Sequence, residues 1–352
     1  MFSNLTILDV STVLAGPSVG TFFAELGARV IKIENKHLPD VTRSWKLPSE
    51  DQKSTISAYF SSINYKKEYI SLDLKDELDY GLFINLIQKS DILLSNFKFG
   101  DEDKLKVTDS ILRSFNPTLI IGKINGFGSE NDRVAYDLIL QAETGFMSMN
   151  GTHESGPVKM PVALIDLLAG HHLKEGLLLA IMEREKTKLA KTVSVSLYDA
   201  AVCSLMNQAS NYLMGKQIPK RQGSLHPNIA PYGELFLTKD KQLITFAIGS
   251  DTHFKKLCLE LKLPTLINDE RFSSNQQRVK HRTALKDLLE ENISNRSANE
   301  LLEKLLAQHV PAGKVKDLKE VFEEDEAKLL IRQEEIDGVT SKRVTSIGFK
   351  WA

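Results

Sequence analysis

Through its first two hundred residues the chain alternates short β-branched apolar runs with longer stretches whose apolar positions recur at helical spacing. Parallel α/β folds carry this pattern. The runs fall at residues 5–10, 29–34, 69–72, 91–95, 119–124 and 192–197. Amphipathic helices are predicted between and after them at 17–27, 75–89, 164–185 and 198–214. The expected result is an open, largely parallel sheet.

Residues 216–231 are rich in turn formers and read as a linker or active-site loop. Beyond them, strands at 233–237 and 242–248 precede helices for which Ser274/Gln277 and Ser297/Glu300 have capping-box spacing. This half reads as α+β. The weak alternation of 339–351 suggests a return to the first domain. The domain expectation is therefore a large domain over 1–215, the linker 216–231, a small α+β domain over 232–325 and a return segment over 326–352. No internal repeat interrupts this plan.

Length and charge narrow the function. A chain of 352 residues buries a sizeable core. Its 45 Lys and Arg against 46 Asp and Glu leave a formal charge of -1, so no global field draws it to nucleic acid or anionic lipid. A small-molecule ligand is expected. Two cysteines, Cys203 and Cys258, stand in apolar helical contexts and read as reduced core thiols. With no signal-like N-terminus and no uncharged stretch of membrane-spanning length, a cytoplasmic protein is expected.

One carboxylate stands out. Asp166 lies inside the apolar run Met160-Pro-Val-Ala-Leu-Ile-Asp-Leu-Leu-Ala-Gly170. Burying an unpaired acid costs several kcal/mol, so it is either a helix cap, a satisfied core acid or a group kept for chemistry. Near the start, Val13-Leu-Ala-Gly-Pro-Ser18 follows a strand and opens a helix; its exposed amides suit an anion, or form a plain tight turn. Gly126-Phe-Gly128 has Asn131 where a dinucleotide fingerprint needs a third glycine. His171 and His172 are adjacent and cannot form an i, i+4 metal pair. No metal site, nucleophile elbow or P-loop is expected.

Taken in order, the segments resemble the class III CoA-transferases (CaiB/BaiF type), which include formyl-CoA transferase, carnitine CoA-transferase and α-methylacyl-CoA racemase. The likeness runs from Ile7-Leu-Asp-Val-Ser-Thr-Val-Leu-Ala-Gly-Pro17 and Leu26-Gly-Ala-Arg-Val-Ile-Lys-Ile-Glu34 through Asp40-Val-Thr-Arg43, Asn64-Tyr-Lys-Lys67 and Ser90-Asp-Ile-Leu-Leu-Ser-Asn-Phe97. It continues through Tyr136-Asp137, Gln141-Ala-Glu-Thr-Gly145, Asp166, His226-Pro-Asn-Ile-Ala-Pro-Tyr232 and Pro311-Ala-Gly313. It implies a Rossmann-like large domain, a smaller α+β domain and an interlocked homodimer. The implied activity is acyl-CoA:carboxylate CoA transfer, with acyl-CoA and a carboxylic acid as partners and no permanently bound cofactor.

In that family the carboxylate matching Asp166 is the nucleophile, passing through an acyl-aspartyl anhydride and an aspartyl-CoA thioester. The resemblance places Tyr136 and Asp137 beside it. It implies CoA contacts at Leu14, Ala15, Gly16 and Pro17, at Asn35, at Leu72, Asp73, Leu74 and Lys75, and at Asn96, Phe97, Lys98 and Lys104. Leu14 replaces a glutamine and Lys104 an arginine of formyl-CoA transferase. Racemases use a His-Asp pair where this chain has Tyr136-Asp137, and a tyrosine is a poor base at neutral pH. Transferase is therefore favoured over racemase or epimerase. The Gly128–Val134 segment also departs from the family pattern, and a usual tail motif is absent, which keeps a non-catalytic acyl-CoA-binding homologue as the other alternative.

Overall fold

The computed structural model describes residues 1–350; Trp351 and Ala352, the end of the return segment, lie outside the described residues. The six apolar runs form β1 (Thr6–Asp9), β2 (Arg29–Asn35), β3 (Lys67–Leu72), β4 (Ile92–Ser95), β5 (Ile120–Asn125) and β6 (Thr192–Ser196). All pair in parallel, in the order β3-β2-β1-β4-β5-β6. The order reverses direction between β1 and β4, so the loops leaving those two strands diverge and open a crevice at the carboxyl edge.

Consecutive strand residues face opposite layers, and both layers are apolar, which is why the runs read as continuous rather than alternating. Ile7, Val30, Ile92 and Ile120 pack with Val19 and Phe23 of α1 (Ala15–Glu25) on one face. Leu8, Ile31, Leu93 and Ile121 face the other way, toward the side that packs Phe83 and Leu112. Along the chain follow α2 (Ala58–Ile63), α3 (Glu77–Ile87), α4 (Asp101–Lys104), α5 (Asp109–Phe115), α6 (Asp137–Glu143), α7 (Phe146–Met149) and α8 (Leu164–Thr187). Ala169, Leu173 and Leu177 of α8 join the α1 side of the sheet. The 198–214 pattern is two helices, α9 (Leu197–Cys203) and α10 (Met206–Gly215), because the chain turns through φ 44° at Met206.

The chain divides into two compact units, one of residues 1–147, 159–219 and 329 onward, the other of 148–158 and 220–328. In the second, β7 (Tyr232–Leu237), β8 (Leu243–Ala247) and β9 (Ala312–Lys314) pair antiparallel. Phe236 and Phe246 pack there with residues of α11 (Asp251–Glu260), α13 (Arg282–Ile293) and α14 (Ala298–Ala307). Ser274 caps α12 (Asn275–Lys280) by accepting from the Gln277 amide. Ser297 makes no such bond to the Glu300 amide; the cap at this helix start comes from Asp240, which accepts from the Ala298 amide at 3.1 Å. The short helices α15 (Leu318–Glu323) and α16 (Asp325–Lys328) complete this unit.

The chain then forms a hairpin, β10 (Ile331–Ile336) and β11 (Val339–Val344), in the first unit. Ile336 and Val339 pack with Ile56, Phe60 and Tyr69. Arg343 and Thr345 donate to Glu25 at the end of α1, and Arg343 Nε also donates to the Ser62 carbonyl at 3.1 Å.

Candidate active site

Each peptide of the turn leaving β1 is held by a different neighbour. Ser11 donates through its amide and hydroxyl to Asp9, and its carbonyl accepts from Lys32 Nζ. Thr12 exchanges two hydrogen bonds with the Asn96 side chain, 3.0 and 2.9 Å, bridging the β1 and β4 loops across the switch point. The Val13 amide points at the Asp40 carboxylate, 3.3 and 3.4 Å away. Val13 has φ 72° and is the one β-branched residue with positive φ among the described residues. Such a conformation costs roughly 1–3 kcal/mol and persists only where the surroundings enforce it.

Asp40 is buried and accepts also from the Thr42 amide (3.1 Å), the Thr42 hydroxyl (2.7 Å) and Lys32 Nζ (3.0 Å). Both side chains of the Lys32–Asp40 pair are fully buried. Beneath them Lys67 Nζ meets Asp9 (2.8 Å), Asn64 (2.8 Å) and the carbonyls of Pro17 and Ile63. Burial pushes the Asp9 carboxyl up, but Lys67, Lys32 and the hydrogen bonds more than offset this and hold it below the ordinary carboxylate value.

Asp166 is the third residue of α8, and Ala163, not an acid, is the cap. Its carboxyl is buried and has no hydrogen-bond or ion-pair partner among the described residues. Burial first, and the negative charge of Asp137 second, raise it to about 7. Asp137 opens α6 and is fully engaged: Oδ1 accepts from the Ile165 amide at 2.7 Å and Oδ2 from Gln141 Nε2 at 2.6 Å. The other end of the Gln141 amide accepts from Met160 N at 2.8 Å, tying the apolar run to α6. Asp137 thus serves α8 as its cap, while Asp166 is left unengaged. Gly170, one turn on, allows α8 to approach α1, for a Cβ there would stand 2.7 Å from the Ser18 hydroxyl and 3.3 Å from the Ala15 carbonyl.

Tyr59 of α2 also faces these acids. Burial, then the charges of Asp166, Asp137 and Asp40, push its phenol up to about 12, so it is an O–H donor at neutral pH. Trp45 stacks edge-on against it at 5.1 Å. Sequence reading passed over Tyr59, since nothing near it in the chain announces its neighbours. Lys32 and Asp40 did leave a signal: Lys32 interrupts the run Val30-Ile-Lys-Ile33 as Asp166 interrupts its own.

Asn96, Phe97, Lys98 and Tyr136 line one cleft above the switch point, together with Thr12, Val13 and Arg133. Leu14, Ala15, Gly16 and Pro17 are buried around the first turn of α1, where Pro17 needs no amide partner. Asn35 ends β2, Leu72 ends β3, and Asp73, Leu74 and Lys75 follow β3; none is among the residues lining this cleft. Lys104 is exposed on α4, paired with Asp101 at 3.1 Å, and is not in the lining either.

The profile of CoA-transferase family III matches residues 2–351. The chain belongs to this family. It is 33% identical over 326 residues to a succinate–glutarate CoA-transferase of Agrobacterium fabrum, covering 91% of this chain and 81% of that one. It is 34% identical to an acetyl-CoA:oxalate CoA-transferase of Acetobacter aceti, covering 91% and 82%. Among solved structures, a CAIB/BAIF family protein from Brucella suis superposes with a TM-score of 0.84 at 32% identity, covering 99% of this chain and 92% of that one. For a CoA-transferase the substrates are CoA thioesters, and no helix of the described residues is long and apolar enough to cross a membrane.

Proposed function

We propose that this CoA-transferase moves CoA from an acyl-CoA to a free carboxylate with Asp166 as covalent nucleophile. The observation that carries the reading is a buried carboxyl left without a partner on the first turn of α8, when its neighbour Asp137 has both oxygens engaged. The ionised Asp166 attacks the thioester carbonyl, forming an acyl-aspartyl anhydride and expelling CoA thiolate. The thiolate attacks the aspartyl carbonyl, releasing the donor acid and leaving aspartyl-CoA. The acceptor carboxylate repeats the exchange: it displaces thiolate to form a second anhydride, and the thiolate then takes the acceptor acyl group and frees Asp166. Each step exchanges one activated acyl bond for another, so no external energy is needed. The Tyr59 hydroxyl is the donor placed to meet carboxylate or oxyanion charge here. CoA lies at the β1 turn and in the cleft of Asn96, Phe97 and Lys98.

A racemase needs a free base, and Asp137 spends both oxygens on the Ile165 amide and Gln141. Incubation with succinyl-CoA or acetyl-CoA and glutarate, succinate or oxalate should therefore transfer CoA, with no solvent deuterium entering the α-carbon. Deuterium uptake without transfer to any acid reverses this choice.

We further propose a cytoplasmic homodimer. Supporting it, α10 has no buried residue and exposes Met206, Leu213 and Met214, an apolar surface that a second copy would cover. Sedimentation at nanomolar concentration should find a dimer; a folded monomer there rejects it.

A further inference from the structure

We propose that Asp40 is a positioning residue for CoA binding: backed by the buried Lys32 ammonium, it forces Val13 into the left-handed conformation that sets the β1 turn. This rests on the reading that CoA lies against that turn. Three observations meet here. Val13 carries a φ of 72° that a β-branched side chain resists, and it lines the cleft. Its amide has the Asp40 carboxylate as acceptor, while Ser11 and Thr12 are each anchored elsewhere, by Asp9 and Lys32 and by Asn96. Asp40 itself is immobile, buried with Lys32 on one side and Thr42 on the other.

The asymmetry of these anchors gives Asp40 its role. The bonds to Ser11 and Thr12 fix where the turn starts; the bond to Val13 fixes which way the chain leaves it. Without the Asp40 charge, Val13 relaxes toward negative φ and swings Leu14 and the opening of α1, whose Ala15 carbonyl lies against α8 at Gly170. A glycine at position 13 would hold the left-handed conformation unaided. The requirement for Asp40 should then fade.

This coupling separates positioning from plain structural support. Asp40→Asn keeps an oxygen for Thr42 but loses the charge that holds both Lys32 and Val13. In the Val13 background it should weaken CoA binding, measured calorimetrically with CoA itself, at least tenfold. In the Val13→Gly background the same substitution should cost no more than about threefold. Amide exchange of residues 11–17 should follow the same pattern: faster in Asp40→Asn, and little changed by that substitution once Val13 is glycine. Equal losses in both backgrounds overturn the proposal, since Lys32 loses its ion pair in both and glycine cannot repair that. A wild-type protein that does not bind CoA overturns the functional half instead, and amide exchange then decides the conformational half alone.

Discussion

Asp166→Asn should abolish CoA transfer and at the same time make the protein more stable at neutral pH. The two effects share one cause. In the folded chain the carboxyl is raised to about 7 from an ordinary 3.8, chiefly by burial and then by Asp137. The folded state therefore holds this proton more tightly than the unfolded chain does. Its contribution to stability is fully present below about pH 4 and is lost as pH rises through about 7, a cost on the order of 4 kcal/mol once ionisation is complete. Asparagine never ionises and escapes that cost.

The unfolding midpoint in urea should accordingly separate wild type from Asp166→Asn progressively between pH 4 and 7. Wild-type kcat/KM should fall about tenfold per pH unit below 7, because only the carboxylate attacks. Transfer at the wild-type rate by the asparagine variant would remove Asp166 from the mechanism. A stability gain that ignores pH would show that the acid is not strained by burial.

Lys67→Met should be the most damaging substitution away from the nucleophile. Its side chain is wholly buried and its ammonium meets Asp9, Asn64 and two carbonyls. Methionine fills the volume but leaves Asp9 without its closest counter-charge, and breaking a buried pair in this way costs about 3–5 kcal/mol. Adding Asp9→Asn should restore part of the loss, because the stranded charge is gone. Urea unfolding of the single and double variants measures this; a single variant within 1 kcal/mol of wild type, or a double variant no better than the single, would mean that the pair is not what holds the β1 strand to β3.

The parallel sheet was legible because strands buried on both faces must be apolar along their whole length, and the six runs lie within a residue or two of the six strands. Their order in the sheet was not, since no periodicity records which strand lies beside β1. Asp166 was legible as a charge in hydrocarbon; the same signal at Lys32 went unused. Local spacing misled at Ser297, which makes no cap bond, while Asp240, distant in the chain, accepts from the neighbouring Ala298 amide. Val13 and Tyr59 were invisible for a common reason. A left-handed valine and a tyrosine facing three acids are imposed by tertiary neighbours, not by adjacent residues.

The hairpin that closes the first unit has a consequence for how the protein is made. Its strands seat Ile336 and Val339 on Ile56, Phe60 and Tyr69, and its Arg343 reaches Glu25, yet it leaves the ribosome after everything else it touches. Between Pro219 and Leu329 the long segment of the second unit is synthesised, an interval of roughly 5–20 s at cellular translation rates of about 5–20 residues per second. For that time the nascent first unit carries an uncovered aromatic patch and an unanswered carboxylate at the end of α1. The hairpin thus seals surfaces that are translated long before it.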